Sequence, residues 1–133
     1  MKGKRYDMQK LASSGMIDIS VSQRFYYNNQ EYFDALSDFV KNHNASFSNY
    51  TPAFVVNSEE DRAAFLKECF EARAEFVRMG MTALLDELAV MEDAAINKNM
   101  EEFADGQVKL TATVQICIKI IEDAALRWVM TIR

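Results

Sequence analysis

Apolar residues recur at three- and four-residue steps along most of this chain, and the rhythm breaks in only a few short stretches. Tyr32, Leu36, Phe39, Val40, His43 and Phe47 share one face of an amphipathic helix predicted over residues 29–47. Phe65, Cys69, Ala72, Phe76 and Met79 form the stripe of a second helix over 59–79. Met81, Leu84, Leu85, Leu88, Met91 and Ala95 give the inner face of a third, over 82–96. The last predicted helix, 100–128, is the most regular. In it Phe103, Leu110, Cys117 and Ala124 interleave with Gln107, Val114, Ile121 and Trp128 in a seven-residue repeat, the pattern of antiparallel helix packing. Leu36, Phe65, Cys69, Phe76, Leu88, Val114 and Ile121 are the expected core. Ile17, Val21 and Phe25 predict a short helix from 17 to 25 with Asp18 or Ser20 as its cap, and the polar residues 1–14 read as a frayed lead-in or a short helix packed loosely on the bundle.

The breaks carry matching chemistry. Pro52 biases Thr51 away from helical geometry, and Ser48, Asn49, Asn57 and Ser58 supply turn residues, so 48–57 reads as an interruption. Ser58 with Asp61, and Asn99 with Glu102, have capping-box spacing. Gly80 separates the second and third long helices, Thr82 is the expected cap of the third, and Asn97-Lys98-Asn99 forms the next turn. Gly106 lies inside the last helix at a cost of about 1 kcal/mol relative to alanine, which points to a close helix approach. With one proline and four glycines, the chain has too few turn residues for a strand-rich fold, and no sheet is expected. The predicted architecture is all-α: an antiparallel up-down four-helix bundle with a short N-terminal helix, residues 1–15 forming the lead-in and 16–133 the bundle.

Composition narrows the function. At 133 residues and 50% hydrophobic, one domain can bury a core unaided. The net charge of −5 and the absence of a basic run beyond the first residues argue against nucleic acid. No apolar stretch has the length of a membrane span or secretory signal, so a cytoplasmic protein is expected. Cys69 and Cys117 lie in apolar-periodic segments and read as reduced core thiols. The single histidine, His43, excludes a paired Glu-x-x-His metal bundle, and no phosphate-binding loop or nucleophile elbow occurs. No catalytic residue, metal or cofactor is expected. Adjacent acidic pairs such as Glu92/Asp93 read as solvated faces.

One constellation goes further. Ile17-Asp18, Arg24-Phe25, Asn28-Asn29, Tyr32, Leu36 and Phe39 stand in the order seen at the opening of histidine-phosphotransfer (HPt) domains, and the chain resembles that family over about residues 16–126. The family's phosphoacceptor helix carries H-x-x-K-G with a further glycine ten residues after the histidine. Gly80 matches that glycine, Arg73 the lysine and Ala74 the small residue after it, while the histidine position holds Phe70. Leu88-Ala-Val-Met-Glu-Asp-Ala-Ala95 is similar to the family's next helix, which often ends in Leu-Glu-x-Ala-Ala. A rival register lays Gly106 on the histidine. The resemblance implies a two-component signalling protein whose partner is a response-regulator receiver domain or a histidine-kinase module. Phenylalanine has no ring nitrogen to take up a phosphoryl group, so the implied role is docking without transfer, through Leu66, Phe70, Arg73 and Val77. Two alternatives stay open: an active phosphorelay intermediate using His43, and a structural or oligomerisation bundle with no signalling role.

Overall fold

The computed structural model describes residues 3–43 and 47–126. They form seven helices and one two-residue ladder: β1 (Arg5–Tyr6), α1 (Met8–Ser13), α2 (Val21–Arg24), α3 (Asn29–His43), α4 (Pro52–Asn57), α5 (Glu59–Met79), α6 (Thr82–Ile96), α7 (Met100–Ala124) and β2 (Ala125–Leu126). The fold is mostly helical, of the all-α class. α6 packs against both α5 and α7, and α3 packs against α7. Leu36, Phe65, Cys69, Phe76, Leu88, Val114 and Ile121, the stripes expected to face inward, are all buried in one continuous core.

α5 and α7 begin at the expected caps. The Ser58 side chain accepts from the Asp61 N–H at 3.2 Å, and the Asn99 side chain accepts from the Glu102 N–H at 3.0 Å. α5 stops at Gly80, whose φ of 74° is left-handed. The Met81 N–H returns to the Phe76 carbonyl and the Gly80 N–H to Val77, so the last carbonyls are satisfied while Met81 and Phe76 stay buried together. A Cβ at Gly80 would lie 2.3 Å from the Asp18 carbonyl oxygen, and the Asp18 N–H donates to the Gly80 carbonyl at 2.9 Å. Gly80 therefore ends α5 and admits the 17–20 segment against that end. A Cβ at Gly106 would lie 2.9 Å from Met91 Cγ, which is the close approach of α6 and α7 that its position implied.

Several expectations need correction. Residues 47–49 form a turn rather than the end of a helix: α3 ends at His43, and 44–46 lie outside the described residues. Pro52 opens a helix instead of interrupting one. Thr51 is extended, as a residue before proline should be, and Pro52 takes the first helical position, where no N–H is needed. Gln107 on α7 donates to the carbonyls of Phe47 and Tyr50, tying this segment to the core. Thr82 does not cap α6; Met81 occupies the cap position without a side-chain bond. The expectation of no sheet fails at one place, where Arg5 pairs with Leu126 and Tyr6 with Ala125 in antiparallel register. α7 accordingly ends at Ala124, and Trp128 lies outside the described residues. The lead-in does carry a short helix, α1, but it is built into the core rather than loosely packed: Tyr6 and Leu11 are buried, and Asp7 caps α1 with its side chain. Among the described residues no helix is long and apolar enough to cross a membrane.

Candidate docking site

The outer side of α5 follows from its inner one. Phe65, Cys69, Ala72, Phe76 and Met79 take the buried stripe, so the residues one step around the helix emerge beside it. Phe70 is 72% exposed near the middle of α5 and Val77 is 41% exposed two turns on. Ala74 is exposed and Arg73 half-buried between them. Leu66, expected on the same surface, is half-buried and packs against the core. Phe70, Arg73 and Val77 instead come together with Phe25, Ala74 and Arg78 around a shallow groove of about 460 Å³.

Phe25 enters because α2 ends one residue before it. At this C-cap the ring leaves the apolar stripe of Ile17 and Val21 and stays 46% exposed, with the Arg24 guanidinium 5.7 Å from its centroid. The segment is fixed on both sides. The Tyr26 hydroxyl donates to the Arg78 carbonyl at 3.2 Å, and Arg24 lies 3.6 Å from the Asp18 carboxylate, an exposed pair. Hydrogen bonds from the Ser20 hydroxyl and N–H hold the Asp18 carboxyl below its ordinary range, with Arg24 adding to the effect.

The groove's floor is apolar and its margins cationic. Arg73 is the less available of the two arginines that line it, because its guanidinium donates to Glu92 across the α5–α6 contact. Its charge is partly matched before any partner arrives, while Arg78 is exposed and lines the groove, and Arg24 lies over Phe25 with Asp18 as its own partner. Nothing at this surface can attack a phosphoryl group. The one histidine sits elsewhere: His43 bonds through Nε2 to Glu75, stacks on Phe39 at 4.9 Å between centroids, and lies 5.9 Å from Phe76. Its ring is thus a packing element between α3 and α5. Gly106, the phosphoacceptor position of the rival register, is buried against Met91.

The cysteines are chemically quiet. Both are buried free thiols, and desolvation pushes Cys117 up to about 11, helped by Glu87, and raises Cys69 further. Among the described residues, no three His, Cys, Asp or Glu side chains converge as a metal site would require. From sequence alone Phe25 read as the last position of the Ile17–Val21 helical stripe and as half of the Arg24-Phe25 pair, Ala74 entered only as the small residue of the matched motif, and Arg78 carried no signal of its own. The sequence feature that could have flagged Phe25 is its place just before Tyr26-Tyr27-Asn28-Asn29, where a helix would be expected to end. Comparison with protein families, with curated proteins and with solved structures finds nothing that matches this chain.

Proposed function

We propose that this chain is a degenerate HPt-like protein of two-component phosphorelay signalling, one that binds a receiver or histidine-kinase domain without passing phosphate. In this reading α3, α5, α6 and α7 form an antiparallel up-down four-helix bundle, and the protein works in the cytoplasm beside its partner. The observation that carries the reading is the exposure of Phe70. The position that the resemblance assigns to the phosphoacceptor is a large apolar ring in solvent, and the arginine three residues on lines the same groove. Exposed aromatics next to arginine are the usual anchors of protein interfaces. A receiver's acidic phosphorylation pocket complements the groove arginines Arg73 and Arg78, so affinity falls as salt rises.

The packed state of His43 supports docking over relay, since both its ring face and its Nε2 are engaged within the fold. The test has two arms. Titration against the receiver and kinase domains of the same organism is expected to find at least one that binds. Incubation with the phosphorylated form of that receiver is expected to leave no acid-labile phosphate on this chain. Label that disappears in a His43→Ala variant establishes an active intermediate instead, and failure of every receiver and kinase to bind leaves a structural bundle.

A further inference from the structure

The outer face of α5 holds more than the Phe70 groove. Glu60, Ala64, Lys67, Glu71, Ala74 and Arg78 follow one another in alternating four- and three-residue steps, and all are exposed. Such steps set them in one seam along the helix. The seam reads the same from either end with its charges reversed: Glu60 answers Arg78, Ala64 answers Ala74 and Lys67 answers Glu71. Beside it, at seven-residue spacing, runs an apolar row of Ala63, Phe70 and Val77, also exposed. Lys67 and Glu71 have no ion-pair partner among the described residues of their own chain.

We infer that this face is a self-association surface on which a second copy of the chain packs its own α5 antiparallel, about a two-fold axis midway between Lys67 and Glu71. That axis sets Lys67 of each copy beside Glu71 of the other, and Glu60 of each beside Arg78 of the other. The acidic first turn of α5, Glu59, Glu60 and Asp61, thus lies over the basic last turn at Arg78. Ala64 meets Ala74, and these small side chains let the helices approach closely. The two-fold keeps both apolar rows on the same side of the pair. There the Phe70 rings meet each other and Val77 meets Ala63 of the other copy, which closes the groove between Phe25 and Phe70. On the opposite side Glu68 and Glu75 are half-buried and turned inward, to Tyr50 and His43, so their carboxylates are already engaged within each chain. Asp18, beside the Gly80 end, is matched by Arg24. Parallel pairing would set every charge of the seam against its own kind, so charge selects the antiparallel form. One helix face buries less than a standard interface, so the dimer is a weak one. The self-association uses only the geometry of α5; that a receiver then competes with the second copy for the groove rests on the docking reading.

Charge exchange tests the geometry without any receiver present, so its outcome is separate from that of the docking reading. Sedimentation equilibrium from about 1 μM to about 1 mM, in about 0.15 M salt, reads the monomer–dimer constant. The unmodified chain is expected to dimerise. Lys67→Glu alone and Glu71→Lys alone are each expected to weaken the dimer about tenfold or more, since each sets like charges together on both sides of the axis. In an equimolar mixture of the two variants, one copy carries Glu at both positions and the other Lys at both, so opposite charges meet again. The mixture is expected to dimerise like the unmodified chain. Both positions are exposed, and circular dichroism checks that each variant stays folded. A chain monomeric throughout this range overturns the proposal. So does a mixture that associates no better than either variant alone, or a dimer that both variants leave unchanged.

Discussion

Phe70 and Arg73 sit one turn apart on α5 yet have different standing. The phenylalanine ring is in solvent, while the arginine is already engaged by Glu92. Releasing Arg73 should therefore strengthen an acidic partner's grip: Glu92→Gln is expected to raise receiver affinity severalfold and to steepen its salt dependence, measured by calorimetric titration at two salt concentrations. Unchanged affinity would remove Arg73 from the electrostatic account. The buried thiols give a second residue-level expectation. An unfolded-chain cysteine ionises near about 8.5, whereas burial holds Cys117 protonated up to about 11. Its contribution to stability is complete below the lower value and is lost as pH rises through the higher one. Thermal melts should therefore fall across that window, and less so for Cys117→Ala, which has no thiol to ionise. A slope of the same size in both proteins would trace the loss to other groups. Phe25 shows what was not legible at this scale. Its spacing from Ile17 and Val21 is that of a core residue, and only the end of α2 at Arg24 turns its ring outward.

At the scale of elements, stripes and caps were readable because they depend on neighbours three or four residues away. The starts of α5 and α7, the stop at Gly80 and the inner faces of all four long helices follow from such local patterns. What escaped depends on partners distant in the chain. The pairing of Arg5–Tyr6 with Ala125–Leu126 joins opposite ends, and α4 forms where turn residues masked the helix-starting role of Pro52. The two helix-associated glycines make separable predictions. Gly80→Ala strains a left-handed residue and drives a Cβ into the Asp18 backbone, so a loss of about 2 kcal/mol or more is expected in urea unfolding. Gly106→Ala meets the Met91 side chain but gains helix propensity, and its loss should be smaller. Equal losses would mean that the 17–20 segment does not rest on Gly80 as described.

Across the whole molecule one core links the lead-in, the long helices and α4, so stability and docking should separate cleanly. Phe76→Ala or Ile121→Ala empties fully buried volume and should cost about 2–5 kcal/mol; melting curves that barely move would show those stripes to be misassigned. Phe70, by contrast, lies outside that core. The decisive measurement is therefore receiver binding by Phe70→Asp, made beside the unmodified chain with melting curves for both. Unchanged melting is expected, with an affinity lower by about 2 kcal/mol, the level of an interface hot spot. Unchanged affinity, or a variant that unfolds, would contradict it.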